Sequence, residues 1–269
     1  MAKANAPSNK AKIARRVVEV LEFFDDTHRQ ATVMDIVRRY DRPQSSTSEL
    51  LSSLVELGLL YKDPFTRSYS LTARASLIGT SGQAEYVRDG RVVRLLDRLV
   101  AQTGLSVALF GMVGLNAQIV SWRAGTRGTA PALRSLWGGL QVPLSDSAAG
   151  WLLLSTIAQP RCDGVIRRLN AEAPDDRKFA FAEMATRVRA AHDAGQVVGP
   201  VGFGAQATTI AMLLPVVADG HPLAVGFVHE GNDAIQSESL LQCLREAIAQ
   251  VIGEPVPNSA QVERFPNAA

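Results

Sequence analysis

The stretch from Asp41 to Leu71, DRPQSSTSELLSSLVELGLLYKDPFTRSYSL, constrains the fold more than any other part of the chain. Pro43 disfavours helical geometry at the residue before it, so a preceding helix must stop near Asp41 and Arg42. A new helix then opens on the polar run Gln44, Ser45, Ser46, Thr47 and Ser48. Ser46 and Glu49 have the spacing of a capping box, Leu50, Leu51, Leu54 and Leu57 supply a buried face, and Gly58 provides a left-handed stop. Leu59 to Lys62 and Ser68 to Leu71 read as two short strands around the turn Asp63-Pro64-Phe65-Thr66-Arg67.

Upstream, Ile13, Val17, Val20, Leu21 and Phe24 recur at helical spacing and predict a first helix running to about Asp26. Thr32 with Asp35 is a second capping-box pattern, and Val33, Ile36, Val37 and Tyr40 share one face of the short helix that follows. Three helices and a two-stranded wing in this order make a winged helix-turn-helix, which lays its third helix into the major groove of duplex DNA. Arg42, Gln44, Ser45, Ser46, Thr47 and Ser48 are then candidates for base and phosphate contacts, because small hydroxyl and amide side chains approach closely. Lys62 and Arg67 at the wing are candidates for the phosphates.

The 269 residues suit two domains, and 46% hydrophobic content can bury substantial cores. No apolar run reaches the length of a membrane span, and the polar, basic start from Met1 to Lys12 lacks the apolar core of a secretory signal, so the chain is expected to be soluble and cytoplasmic. Charge is uneven: residues 1–80 carry 12 Lys+Arg against 9 Asp+Glu (+3), and the remainder 16 against 17 (−1). Cys162 and Cys243 share no metal-type or redox-type spacing and read as ordinary thiols. No metal or cofactor is expected.

Beyond residue 80, Val92, Leu95, Leu96 and Leu99 form one face of a helix whose other side carries Arg88, Arg91, Arg94 and Arg98. Strands are predicted at Ser106 to Met112, Ala117 to Trp122, Met212 to Val217 and Leu223 to His229, with turns at 114–116 and 219–222. Helices are predicted at Ala148 to Ile157, Phe179 to Ala194 and Glu238 to Ile252. A sheet flanked by helices without a βαβ series is α+β. The GxGxxA at Gly202, Gly204 and Ala207 follows no clear strand and reads as a flexible loop.

The blocks IARRVVEVLEFF, SSTSELLSSLVELGLLYKDPFTRSYSLTARASLIG, QVPLSDSAAGWLLLS and IAMLLPVVADGHPLAVGFV resemble the IclR family of bacterial transcriptional regulators over almost the whole chain. The resemblance implies a winged helix-turn-helix over residues 1–80, a linker helix over 81–104 and a GAF-like effector domain over 105–253 with an antiparallel sheet flanked by helices; the tail over 254–269, with prolines, asparagines and little periodicity, is expected to be mobile. It also implies a homodimer on double-stranded operator DNA, with pairing of dimers left open. Two positions depart from the family pattern: Glu49 stands where many members have a basic residue, and Trp151 where they often have lysine.

Family members bind acidic metabolites or aromatic acids beside the turn before the effector-domain helix, which here runs Pro143 to Gly150. The free amides of Ala148 and Ala149 at that helix entrance suit a carboxylate. Strand alternation puts Phe227 and His229 on one face, and the family pattern turns that face, with Ile210 and Met212, towards the pocket. Phe110, Trp137 and Leu140 are candidates for apolar walls.

Three readings follow. An effector-responsive regulator of a catabolic operon accounts for both halves of the chain. A regulator acting through protein contacts alone is the second. A hydrolase or transferase using Ser145 or Ser147 with His229 is the third, but no nucleophile elbow, metal-binding helix or phosphate loop accompanies it.

Overall fold

The computed structural model describes residues 9–25, 27–78, 85–126, 131–215, 222–230 and 237–253. The expectations for the start of the chain, the Gly-rich stretch near residue 80, the turn at 219–221 and the tail over 254–269 lie outside them. The chain forms two compact units, Met1–Gln83 and Ala84–Ala269.

In the first unit, α1 (Asn9–Phe23), α2 (Val33–Tyr40) and α3 (Gln44–Glu56) precede the strands β1 (Leu60–Lys62) and β2 (Tyr69–Leu71) and the short α4 (Ala73–Leu77). Val20, Phe23, Ile36, Leu51, Leu54, Leu60 and Tyr69 form its core. Val17 and Phe24 pack against this core from the expected stripe of α1, Phe23 joins it, and Ile13 stays 52% exposed. Ala31 and Tyr69 exchange backbone hydrogen bonds of 3.0 and 2.7 Å, adding a bridge to the two-stranded wing.

Thr32 and Asp35 form the expected capping box, Asp35 N donating to Thr32 Oγ1 and Thr32 N to Asp35 Oδ2 at 2.8 Å. These hydrogen bonds hold the Asp35 carboxyl below the usual carboxylate range. Their contribution is present at neutral pH and is lost below about pH 4, as pH falls through that depressed value. Thr32→Ala is expected to destabilise the first unit by about 1 kcal/mol in urea unfolding at pH 7. The deficit should shrink in acid.

At the other end of the helix pair, Gly58 has φ of +71°. Leu59 N donates to Leu54 O and Gly58 N to Val55 O, both at 2.9 Å, which closes α3 with the two bonds of a glycine-terminated helix end.

The second unit opens with α5 (Glu85–Arg88) and α6 (Arg91–Thr103), separated at Gly90, whose φ is +76°. A six-stranded, fully antiparallel sheet follows in the order β5-β4-β3-β8-β7-β6. Its strands are β3 (Ser106–Val113), β4 (Asn116–Arg123), β5 (Gln141–Pro143), β6 (Gln196–Gly202), β7 (Ala205–Leu213) and β8 (Leu223–His229). The remaining helices are α7 (Ala148–Leu154), α8 (Arg161–Glu172), α9 (Phe181–Ala194) and α10 (Ser237–Val251).

One face of the sheet packs on α6 and α10 through Val107, Leu109, Ile210, Val225 and Phe227. The other packs on α7, α8 and α9 through Ala108, Phe110, Ile119, Ala211 and Val228. The α+β reading of the sequence holds. The GxGxxA segment does not form a loop of its own: Phe203 and Gly204, both with positive φ, make the two-residue turn between β6 and β7, and Gly202 and Ala205 pair on either side of it. Burial pushes the Cys162 thiol up, away from the reactive thiolate.

Candidate nucleic-acid interface and effector site

Helix α3 begins one turn earlier than its sequence spacing suggests. Pro43 is the N-cap and offers no side-chain acceptor, so Ser46 lies inside the helix and the expected Ser46–Glu49 capping box does not form. Ser46 Oγ and Thr47 Oγ1 instead donate to Pro43 O at 3.3 and 2.9 Å. Thr47, Leu51 and Leu54 face the core, and Gln44, Ser45, Glu49 and Ser52 are exposed on the opposite side, with Ser48 half-buried between.

This geometry sorts the predicted contacts. Thr47 is fully buried, and its hydroxyl also lies 3.5 Å from an Arg16 guanidinium nitrogen, so it is not free to meet a base. Arg42 donates to both carboxylate oxygens of Glu19 on α1, at 2.8 and 3.1 Å. Its charge is matched within the protein before any phosphate arrives. Arg16, which periodicity left off the apolar stripe without a role, donates to Ser46 Oγ at 3.2 Å and ties α1 to the entrance of α3. Gln44 and Ser45 remain exposed and Ser48 partly so; Glu49, expected to cap the helix, is exposed as well, and the exposed Ser52 was missed in the sequence.

In the wing, Lys62 and Arg67 are exposed. Asp63 Oδ1 accepts from Thr66 N at 3.0 Å and Phe65 N at 2.7 Å, which fixes the turn and holds the Asp63 carboxyl below its ordinary range. Arg67 has a left-handed φ of 56°, and Lys62 Nζ lies 5.5 Å from the centre of the Tyr69 ring.

In the second unit Ala148 and Ala149 are fully buried at the entrance of α7. Ser147 is the N-cap, its Oγ accepting from Gly150 N at 3.0 Å. A Cβ on Gly150 would lie 2.1 Å from Leu144 O, so only glycine lets the preceding turn fold this closely against the helix. Trp151 donates from Nε1 to Ser145 O at 2.7 Å and stacks under the Arg187 guanidinium at 4.9 Å.

The expectation of one pocket lined by all the predicted effector residues is corrected by the sheet itself. Phe110, Leu140 and Ala149 belong to the α7 side, where Phe110 stacks on Phe203 with ring centres 6.2 Å apart. Ile210, Met212 and Phe227 pack with α6 and α10 on the other side. Strand alternation was read correctly, but which face the α7 entrance would share was not. His229 alternates with Phe227, and its Nδ1 lies 3.0 Å from Glu230 O. Since a carbonyl only accepts, Nδ1 carries the hydrogen, and Nε2 is buried without a hydrogen-bond partner among the described residues. Trp137 is 54% exposed rather than walled in.

Ser145 Oγ donates to Asp146 Oδ1 at 2.7 Å and Ser147 Oγ caps α7, so neither serine is paired with His229 as a nucleophile would be with its base. Among the described residues no cluster of metal-ligating side chains occurs, and no helix is long and apolar enough to cross a membrane.

Residues 14–64 match the model of the IclR helix-turn-helix domain. The comparison with curated proteins gives no match. Among solved structures, an IclR homolog from Microbacterium hydrocarbonoxydans complexed with 4-hydroxybenzoate is 20% identical, with a TM-score of 0.56 over 89% of this chain and 97% of that one. A regulator from Alicyclobacillus acidocaldarius (19% identity, TM-score 0.56, 91% and 98% covered) has the same fold. So does the Thermotoga maritima IclR, at 15% identity with a TM-score of 0.56, covering 90% and 99% of the two chains. The chain thus carries an IclR helix-turn-helix domain at its front, and it has the fold of these solved regulators.

Proposed function

We propose that the protein is a cytoplasmic, homodimeric repressor or activator of a catabolic operon, and that a small organic acid, aromatic by preference, controls its hold on operator DNA. The observation that carries the DNA half is the polar face of α3, with Gln44 and Ser45 exposed and Ser48 half-buried beside them, together with a wing bearing Lys62 and Arg67. Neutral hydroxyl and amide groups read base edges, and the cations meet phosphates. Arg67→Ala is expected to weaken binding across sequences and to reduce the slope of log affinity against log salt by roughly one phosphate contact.

For the effector we favour the α7 side of the sheet. Phe110 and Leu140 would supply apolar walls, and the backbone at Ala148 and Ala149 would face the carboxylate. The relative bound to 4-hydroxybenzoate supports an aromatic acid. Ile210, Met212 and Phe227 are not part of this proposal, being packed under α6 and α10.

The test is a thermal shift of the full chain with 4-hydroxybenzoate and a panel of related acids. A ligand at 100 times its dissociation constant stabilises the native state by about 2.7 kcal/mol. A flat response across aromatic and aliphatic acids alike would reject effector control.

A further inference from the structure

Phe65, at the tip of the wing, is 94% exposed, more than any other large apolar side chain among the described residues. Its exposure is built in. Its own amide is held by Asp63 Oδ1 at 2.7 Å and the next amide by the same oxygen at 3.0 Å. Arg67 N donates to Asp63 O at 3.0 Å, and Asp63 N to Ser68 O at 2.9 Å, closing the turn from both strands. Pro64 fixes the backbone immediately before the ring. The ring therefore stands on a braced backbone, which leaves only its own side-chain rotation to be ordered on contact.

Its neighbours indicate what it meets. Lys62 and Arg67, both exposed, flank the turn. An apolar ring between two cations suits a polyanion that offers flat, stackable groups between its charges, which describes duplex DNA better than an apolar protein groove. Apolar side chains that enter the minor groove wedge between base pairs, unstack a step and bend the duplex.

We propose that Phe65 is such a wedge: it enters the minor groove beside the α3 site and stacks on a base step while Lys62 and Arg67 hold the adjoining phosphates. The proposal rests on the DNA-binding reading given above. It adds a specificity determinant outside α3, because the cost of opening a step depends on its sequence and is lowest at flexible pyrimidine–purine steps.

The experiment uses the full chain and a duplex carrying the region upstream of its own gene, end-labelled for fluorescence energy transfer. Phe65→Ala should bind that duplex roughly 5- to 100-fold more weakly, the loss typical of truncating an aromatic that stacks on a base. The bend reported by energy transfer should decrease, and the salt slope should stay at the wild-type value, since no phosphate contact is removed. Phe65→Trp should restore both affinity and bend. As the ring packs against nothing, neither variant threatens the fold.

Unchanged affinity and bend in Phe65→Ala would overturn the proposal. So would a loss of affinity accompanied by dissociation of the free protein in sedimentation, which would assign the ring to a second copy of the chain. Failure of the wild type to bind any duplex is a separate outcome that removes the DNA-binding reading itself.

Discussion

Ser45→Glu is expected to abolish specific DNA binding, with a loss of roughly 100-fold or more. Ser45 is exposed in the first turn of α3, on the same face as Gln44 and Ser52. A carboxylate there removes a side chain able to contact a base edge, worth about 1–3 kcal/mol. It also sets a negative charge against the phosphates, and such like-charge contacts cost several kcal/mol. The fold should not suffer, because an acidic residue near a helix N-terminus opposes the helix dipole favourably. Fluorescence anisotropy on the upstream duplex, with thermal unfolding in parallel, separates the two effects. Full affinity in the variant would mean that another surface meets the DNA.

Leu51→Ala should be the most damaging single change to the first unit. Leu51 is fully buried on the inner face of α3, in the cluster with Val20, Ile36, Leu54 and Tyr69. Truncating such a leucine costs about 2–5 kcal/mol, from lost transfer energy and the cavity left behind. A unit of this size has little more than that in reserve. Because the second unit has cores of its own, its unfolding should be nearly unaffected. Calorimetry of the full chain is expected to show an early transition for the first unit and a retained one for the second, with DNA binding lost at 37 °C. A single transition displaced as a whole would show that the two units unfold together.

Local chemistry made the front of the chain readable. The Thr32–Asp35 capping box, the break at Pro43 and the left-handed Gly58 each depend on residues within a few positions, and each lies where its residue type requires. The same reasoning failed for Ser46 and Glu49, because Pro43 starts the helix without any side-chain cap. Long-range partners were not legible. Nothing in the spacing showed that Glu19 claims Arg42 or that Arg16 reaches Ser46, since α1 and α3 meet only after folding.

In the second unit, apolar runs of high strand preference located β3, β4 and β8, and alternation gave Phe227 and His229 the right parity, but the strand expected at Met212 to Val217 instead spans Ala205–Leu213, because its first half, AQATT, is too polar to read as a buried strand. Alternation gave no means of telling which face α7 would cover, so residues from opposite faces were assigned to one pocket. β5 is three residues long, and β6 contains Gly199, Pro200 and Gly202, which hides its strand character. The tight turn at Phe203 and Gly204 resembled a loop because a two-residue reversal needs positive φ at both positions, which a phenylalanine does not announce.

The most direct test titrates the wild-type chain against duplex DNA from upstream of its own gene at several salt concentrations. Saturable binding that outlasts excess random-sequence competitor, weakens steeply with salt and disappears in Ser45→Glu is the result expected of a helix-turn-helix regulator. Binding that is absent at low salt, or that persists unchanged in that variant, would contradict the assignment of the exposed α3 face as the DNA-reading surface.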